Sequence, residues 1–369
     1  MHFRPFARRL YSLKAAAKSR RTTSELTIWF FLFLLVGMLI GAANAAELAK
    51  GHGKGCLINL SGEIVPGDFK ALQALATSSG LTAPGNSGEE SNSTDAAICL
   101  DSPGGNYVEG RLIAGFVHDY GITTRIPAGA SCYSSCAFLF MAGRAHGAET
   151  DGPSRYLNVS GHLGFHAPYF TLAEGDKFSG KDVSEMLTLS EKVIAEFIKF
   201  GSFSSEFDAK PMFSLSLLAE TLNSGPKEIA EVNTVEKAVR WGIFLEGTKP
   251  GAIIGHKAAV QTCLNFQAWM LDKSTDQSGI GYYETQPLET AKAELWGETR
   301  TFAKIDTGGM EAKYCYVEVS QQPTAGMAVC SRDEYNGVSF GDCLNDMAIW
   351  VPWYQSLPPA TPITALGDQ

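Results

Sequence analysis

The sequence lacks several features that would place it in common functional classes. Basic residues are in the minority, with 30 Lys and Arg against 39 Asp and Glu and a net charge of −9. Residues 1–45 carry seven basic residues and one acidic residue, so the rest of the chain has a net charge of −15. An acidic body binds polyanions poorly, which argues against nucleic-acid binding. No phosphate-binding motif of the Gly-x-x-x-x-Gly-Lys-Ser/Thr type occurs, so we expect no ATP-driven step.

The longest apolar run is too short for an ordinary membrane span. It extends from Ile28 to Ile40, whereas a spanning helix needs about 20 residues. Basic residues precede this run, and Ala43-Asn44-Ala45 follows it, an order typical of a cleaved export signal. We therefore predict that residues 1–45 are a signal peptide and that the protein is periplasmic or secreted. The alternative is an uncleaved segment, residues 28–42, that anchors the protein to the inner membrane.

Cysteine spacing of the metal-binding Cys-x-x-Cys type is also absent, so we expect neither a metal nor a cofactor. An even number of cysteines in an exported chain predicts disulfides instead. Four of the cysteines follow residue 250 and are predicted to form two structural bridges. The eight cysteines are Cys56, Cys99, Cys132, Cys136, Cys263, Cys315, Cys330 and Cys343.

From residue 55 onward, short apolar strands alternate with amphipathic helices. This alternation predicts right-handed crossovers and an α/β fold with a mainly parallel sheet. The predicted strands are Cys56–Leu60, Ala97–Leu100, Thr123–Ile126 and Arg155–Gly164. The predicted helices are Asp68–Leu75, Tyr107–Tyr120, one that starts near Ser134, Lys181–Phe200, Phe213–Leu222 and Thr234–Trp241.

The chain divides into regions of different composition. Residues 46–248 are predicted to form the α/β domain, with a polar loop at 77–96. Residues 252–350 contain four cysteines, many aromatic residues and few clear helices, which predicts a small disulfide-rich domain dominated by strands. Residues 351–369 are rich in proline without a core pattern and are predicted to be a disordered tail.

Three short segments together carry the parts of an acyl-transfer site. They are Asp101-Ser-Pro-Gly-Gly105, Ser131–Phe140 and Leu163–Pro168. Acyl transfer needs a nucleophile, a base and donors for the developing oxyanion. A serine where a strand enters a helix, a histidine at a strand end and a glycine turn could supply them. Each feature also has a plain structural interpretation: a helix cap, a buried histidine and an ordinary turn.

In order and spacing, the segments resemble the motifs of ClpP-type serine proteases of the ClpP/crotonase superfamily. Those motifs are an Asn-Ser-Pro-Gly-Gly turn, a Ser-Met-Gly-Ala-Phe-Leu-Leu segment that opens a helix, and an apolar strand that ends in His-x-Pro. Ala238-Val-Arg-Trp-Gly-Ile243 resembles a further helix end of the family. The resemblance covers about residues 55–246 and implies a spiral of β-β-α units.

The same resemblance assigns roles to particular residues. It implies Ser134 as nucleophile, His166 as general base, and the backbone amides of Gly105 and Ser135 as the oxyanion hole. Cys132 and Cys136 bracket the nucleophile, either as a bridge or as two buried thiols. Cys136 acting with His166 is an alternative nucleophile.

The position of the family's third catalytic residue, an aspartate, is occupied by Ala230. Glu231 is the candidate that we select for this role. The other candidates are Glu228 and Asn233, and a dyad of Ser134 and His166 is the remaining alternative. Loss of the orienting acid costs up to about 10⁴-fold in rate in a well-studied triad.

These observations predict an exported, ATP-independent serine endopeptidase that acts on peptides or unfolded proteins. The alternative is a catalytically weak or inactive ClpP-fold binding or assembly module in the periplasm. An acyl-CoA enzyme of the crotonase type is disfavoured, because acyl-CoA is cytoplasmic. The resemblance further implies a homo-oligomer that assembles through a helical handle at residues 181–222. Membrane association is expected only if the N-terminal segment stays attached.

Overall fold

The computed structural model describes residues 46–53, 55–81, 97–146, 151–167, 175, 177–202, 211–225, 228–308, 313–333, 343 and 348–367. The predicted signal peptide and most of the predicted polar loop lie outside these ranges. The strands are β1 Glu47–Gly53, β2 Cys56–Ser61, β3 Ala97–Asp101, β4 Thr123–Ile126, β5 Ser131–Tyr133, β6 Arg144–His146, β7 Asp151–Pro153, β8 Arg155–Asn158, β9 His162–Phe165, β10 Ala230–Glu231, β11 Phe244–Glu246, β12 Ala252–Ile254, β13 Glu289–Leu295, β14 Glu298–Asp306, β15 Lys313–Glu318, β16 Ser320–Thr324, β17 Gly326–Asp333 and β18 Ile349–Pro352. The helices are α1 Asp68–Ser78, α2 Tyr107–Asp119, α3 Ser135–Phe140, α4 Gly180–Gly201, α5 Leu215–Asn223, α6 Val235–Arg240, α7 His256–Met270 and α8 Ile280–Thr285.

The main sheet has six strands in the order β1-β2-β3-β4-β8-β11. Only β1 runs antiparallel to its neighbour, and the other pairs are parallel. The prediction of an α/β fold with a mainly parallel sheet is therefore confirmed. Helices form where the apolar spacing predicts them. In α2, for example, Ile113, Phe116 and Val117 are buried, and the Asn106 side chain caps the first turn by accepting from the Glu109 amide.

A second, three-stranded sheet of order β10-β9-β5 positions the predicted site. Strand β5 runs parallel to β9, and a parallel bridge joins Ser102, just after β3, to Cys132 in β5. Strands β3, β5 and β9 therefore end at the same edge. Ligand sites of open α/β sheets lie beyond the carboxyl ends of such strands.

The predicted strand Arg155–Gly164 is two strands in the structure. A turn at Val159 and Ser160 separates β8 in the main sheet from β9 in the second sheet. The Asn158 side chain accepts hydrogen bonds from the amide and the hydroxyl of Ser160. This local side-chain bonding breaks the strand, as expected of asparagine at turns.

The region that follows β11 contains a five-stranded antiparallel sheet of order β13-β14-β15-β17-β18. Strands dominate it as predicted, but the 15-residue helix α7 was not expected. Helix α7 packs Ala259, Val260 and Cys263 into the core of this sheet, while its Trp269 joins the core of the main sheet. The residues Ala45–Gln369 form one compact unit, in which the main sheet has one hydrophobic core and the five-stranded sheet has two smaller ones.

Asp272 fastens the end of α7 to α5 and α6. Its carboxylate accepts hydrogen bonds from the Ser216 amide at 2.8 Å, from the Ser216 hydroxyl and from Arg240 Nε at 3.0 Å. Burial works against ionisation of this carboxyl, but the bonds from Ser216 and Arg240 outweigh it and hold the pKa of Asp272 below its usual value. Asp272 therefore acts as a charged clamp between the two halves of the unit.

The predicted disorder of residues 351–369 is wrong for the described residues 351–367. Two 3₁₀ turns, Trp353–Ser356 and Ile363–Leu366, bury Trp353, Tyr354, Ile363 and Leu366 in the core of the main sheet. The Tyr354 hydroxyl accepts a hydrogen bond from the Leu245 amide at 3.1 Å. The prolines fix extended backbone between these anchors, so they organise the segment instead of disordering it.

All eight cysteines form disulfides, in the pairs Cys56–Cys99, Cys132–Cys136, Cys263–Cys315 and Cys330–Cys343. The two pairs after residue 250 are the two structural bridges that the sequence predicts. The bridge between Cys132 and Cys136 excludes the alternative of two buried thiols. It also removes Cys136 as a nucleophile, because a disulfide sulfur has no thiolate. None of the helices in the described ranges has the length and hydropathy needed to cross a bilayer.

Candidate active site

Ser134 has an unusual backbone conformation between β5 and α3. Its φ of 58° and ψ of −125° lie in a region that residues other than glycine rarely occupy. Such a conformation costs of the order of 1–3 kcal/mol and persists only where the surroundings enforce it. Here the Ser134 amide donates to the Gly164 carbonyl at 3.2 Å, and its own carbonyl accepts from the Phe138 amide at 3.1 Å. The resulting sharp strand-to-helix turn exposes a side chain in the way that nucleophile turns of hydrolases do.

The glycine turn after β3 packs directly against Ser134. Gly104 and Gly105 have φ values of 95° and 140°, and a Cβ atom on Gly104 would lie 2.7 Å from the Cβ of Ser134. A Cβ atom on Gly105 would collide with the carbonyl oxygen of Ile64. The turn is fixed by hydrogen bonds from the Gly104 amide to Ser102 Oγ at 3.1 Å and from the Ile64 amide to the Gly104 carbonyl at 2.8 Å. Both positions therefore require glycine.

Two backbone amides at this turn are available as donors. Within the described part of the chain, the N–H groups of Gly105 and Ser135 donate no hydrogen bond. Ser135 is the first residue of α3, and the first amides of a helix lack an intrahelical acceptor. Unused amides of this kind can bind a developing oxyanion.

A cavity of about 530 Å³ lies at the ends of these strands. It brings together four of the five residues to which the sequence assigned a role, namely Ser134, Ser135, Gly105 and His166. The described residues that line it are Glu63, Pro103, Gly104, Gly105, Tyr107, Ser134, Ser135, Phe138, His166 and Phe197.

His166 follows the last residue of β9 and is half-buried. Its Nδ1 atom lies 2.9 Å from the carbonyl oxygen of Ala167. A carbonyl only accepts, so this contact favours the tautomer with the proton on Nδ1, which leaves a lone pair on Nε2. Pro168, the last residue of the predicted motif, lies outside the described residues.

Glu231 is not among the described residues that line the cavity. It is an exposed residue of β10, in register with Gly164 of β9. Burial and, secondarily, the nearby charge of Glu231 raise the pKa of Tyr133, which puts the carboxylate close to that phenol. Ala230, at the position of the family's aspartate, is buried and pairs with Phe165.

The other two candidates for an acid or amide partner are held by backbone contacts. Glu228 is exposed, and its amide donates to the Gly225 carbonyl at 3.1 Å. Asn233 is also exposed, and its carbonyl accepts from the Ile363 amide at 3.1 Å. Neither is among the described residues that line the cavity.

Three lining residues lie outside the three sequence segments, namely Glu63, Tyr107 and Phe197, and Phe138 lies within one of them but was given no role. Tyr107 could have been found, because it begins α2 two residues after the glycine turn. Burial raises the pKa of Tyr107 to about 12, with Glu196 adding to the rise and Arg111 opposing it. The phenol therefore stays protonated, and its buried oxygen has no hydrogen-bond partner in the described part of the chain. Nothing in the local sequence marks Glu63 or Phe197.

Comparison with models of known protein families and with curated proteins finds no match to this chain. Among solved structures, a mutant of the 1510-N membrane-bound stomatin-specific protease matches 45% of this chain and 67% of its own, with 12% sequence identity and a TM-score of 0.27. A TM-score this low does not establish a shared fold. The assignment of chemistry to this site therefore depends on its own geometry.

Proposed function

We propose that the protein is an exported serine hydrolase of the ClpP type that cleaves peptides or unfolded protein segments without ATP. Ser134 is the nucleophile, His166 is the general base, and the amides of Gly105 and Ser135 form the oxyanion hole. One observation carries the proposal. A serine in a strained conformation with positive φ shares a cavity with a histidine and two amides that donate no other hydrogen bond within the described chain.

In the proposed mechanism, His166 Nε2 accepts the proton of the Ser134 hydroxyl as the oxygen attacks the scissile carbonyl. The carbonyl oxygen becomes an oxyanion that accepts hydrogen bonds from the Gly105 and Ser135 amides. His166 then gives the proton to the leaving amine, and the acyl group stays on Ser134. Water, activated by His166, hydrolyses this ester and restores the serine.

We further propose that the Ala167 carbonyl holds His166 in the required tautomer. It supplies the orientation that a carboxylate supplies in a triad, but without a full negative charge. Glu231 remains the proposed acid, and it would stabilise the imidazolium from the neighbouring strand instead of by direct contact. A solvent-exposed charge at such a position contributes about 1 kcal/mol or less, so we expect a slow enzyme.

Several broader features belong to the same proposal. The parallel main sheet and the second sheet that carries the site are compatible with a ClpP/crotonase spiral of β-β-α units. Four disulfides favour a periplasmic or secreted location. The exposed apolar residues Val183, Leu187 and Leu189 of α4 favour assembly of identical subunits through this helix.

The test is covalent labelling with a fluorophosphonate probe, followed by mass spectrometry to locate the adduct. We expect an adduct on Ser134 that disappears in Ser134→Ala and persists in Ser160→Ala, a control serine in the exposed turn between β8 and β9. His166→Ala should slow labelling by at least 100-fold, as expected for loss of a general base. His162→Ala, a control at the exposed first residue of β9, should leave the labelling rate unchanged.

Failure of Ser134 to react in the folded protein would contradict the proposal. That result would favour the alternative of an inactive binding or assembly module. Glu231, the candidate acid, is not among the described residues that line the cavity, which motivates this alternative.

A further inference from the structure

The described wall of the Ser134 cavity carries one carboxylate, that of Glu63. Among the described residues, the Glu63 side chain forms no ion pair and no hydrogen bond, and it is exposed. Glu196, which lies near Tyr107, differs in this respect, because its carboxylate lies 3.5 Å from Arg111 Nε. Within the described part of the chain, no cation neutralises Glu63, so its negative charge can act on a group that enters the cavity.

Glu63 lies beside the proposed oxyanion hole. Its Cγ atom would be 3.0 Å from a Cβ atom on Gly105. The parallel bridge between Ile64 and Gly105 fixes this neighbourhood through the backbone. A group held by Glu63 would consequently belong to a substrate residue close to the bond under attack.

Aromatic rings form the apolar part of the wall. Phe138 and Phe197 are buried, and their ring centroids lie 5.0 Å apart. The Tyr107 ring lies 5.7 Å from that of Phe138. Among its described residues, the cavity therefore combines an aromatic surface with one carboxylate that has no partner there.

Lysine and arginine side chains fit this combination. Each has a long apolar stem that packs on rings and a cationic head that pairs with a carboxylate or with a ring face. A short apolar side chain would leave Glu63 unpaired, and an acidic one would be repelled. The net charge of −15 outside residues 1–45 also attracts basic peptides to the surface.

We propose that this cavity is a specificity subsite for the lysine or arginine side chains of a peptide, selected by the carboxylate of Glu63. Cleavage of such a peptide rests on the proposed function. Binding does not, because it needs the cavity and Glu63 but no reaction at Ser134.

The experiment measures binding in the Ser134→Ala protein by fluorescence anisotropy. The probes are three fluorescein-labelled ten-residue peptides of glycine, alanine and serine with a central lysine, norleucine or glutamate. We expect the lysine peptide to bind at least 10-fold more tightly than the norleucine peptide and the glutamate peptide to bind most weakly. Glu63→Gln should reduce the lysine preference to 2-fold or less, and Glu63→Lys should favour the glutamate peptide.

Glu47→Gln is the matched control, because it removes one exposed carboxylate at the start of β1 and leaves the cavity intact. It should leave the lysine preference unchanged. Equal affinities for the three peptides, an unchanged preference in Glu63→Gln, or no binding of any peptide at millimolar concentration would overturn the inference. The lysine preference could be found although the wild-type protein neither cleaves the lysine peptide nor reacts with the fluorophosphonate. In that case the proposed function fails and the subsite stands.

Discussion

Removal of the Cys132–Cys136 disulfide should reduce the reactivity of Ser134 more than removal of the Cys56–Cys99 disulfide does, although it should cost less stability. The two cysteines are four positions apart and bracket the strained serine. The chain-entropy relation gives about 2 kcal/mol for so short a loop and about 4 kcal/mol for Cys56–Cys99, whose cysteines are 43 positions apart. Cys56→Ala/Cys99→Ala is therefore the matched control, and it should cost more stability.

The loss of Ser134 reactivity should be larger in Cys132→Ala/Cys136→Ala than in Cys56→Ala/Cys99→Ala. The positive-φ conformation of Ser134 costs about 1–3 kcal/mol. The stabilisation by the short disulfide is of the same magnitude and can offset this cost. If its loss lets the turn relax by about 2 kcal/mol, roughly one molecule in 30 keeps the reactive geometry. We expect fluorophosphonate labelling of Cys132→Ala/Cys136→Ala to be about 30-fold slower than wild type, and that of the control to be within 3-fold of wild type.

The assay compares labelling rates at a temperature where urea titrations show that both variants are folded. Hydrogen exchange of the amides from Ser134 to Phe138 gives a second readout that needs no reaction. It should speed up in Cys132→Ala/Cys136→Ala and not in the control. Parallel losses of reactivity and stability in the two variants would refute the idea that the crosslink positions the serine.

Three further expectations concern other residues. Glu231→Gln should lower the labelling rate by about 5-fold at most, because an exposed carboxylate acts on the imidazolium from a distance; a loss near 10⁴-fold would instead indicate a direct triad. Asp272→Asn should cost about 1–3 kcal/mol of unfolding free energy at pH 7 in urea titrations, through the weakened bonds to Ser216 and Arg240. The lowered pKa means that this contribution is complete above the ordinary aspartate pKa of about 3.9 and is lost as the pH falls through the folded-state value, so the two proteins should converge in acid. Ile363→Ala should cost about 2–5 kcal/mol as a buried truncation.

Each of these expectations has its own control. For Glu231, Glu228→Gln removes a neighbouring exposed charge and should leave labelling unchanged. Asp272 has a φ of 54°, a value that asparagine also adopts readily. The stability difference between wild type and Asp272→Asn is therefore free of added backbone strain. A difference in stability between wild type and Asp272→Asn that does not narrow as the pH falls below about 3.9 would argue against a role of the charge. For Ile363, the exposed Thr364→Ala should stay within 0.5 kcal/mol of wild type; equal stability of both variants would mean that the segment does not pack.

Local periodicity was enough to predict much of the α/β framework. Helix α2 ends within one residue of its predicted boundary, because Ile113, Phe116 and Val117 recur at helical spacing and all face the core. Helix α7 was missed because buried polar residues interrupt its apolar face. Asn265 is fully buried there, and its amide donates to the carbonyls of Gln355 and Leu357, about 90 positions away. A pattern search cannot anticipate partners at that distance.

The candidate site likewise contains residues that the sequence could identify and residues that it could not. Gly105, Ser134 and His166 lie in motifs at the ends of β3, β5 and β9, so order and spacing could identify them. Glu63 reaches the cavity only through the bridge between Ile64 and Gly105, which a single sequence does not reveal. Phe197 arrives from the far end of α4, and no feature of that helix distinguishes it from its other apolar residues.

Because Trp353–Leu366 returns to the core of the main sheet, the five-stranded sheet belongs to an insertion between β11 and this segment. The chain leaves the main sheet after β11 and rejoins its core after β18, so both ends of the inserted part are anchored. Because the inserted part is attached at both ends, it cannot move as a domain on one flexible linker. A C-terminal truncation that removed Trp353–Leu366 would take these buried apolar residues from the core of the main sheet. The two parts would be separated by excising residues 252–350 and closing the gap with a short flexible connector. Such an excision would remove Trp269 from the core of the main sheet, and it would keep the candidate site together with the segment that closes that core.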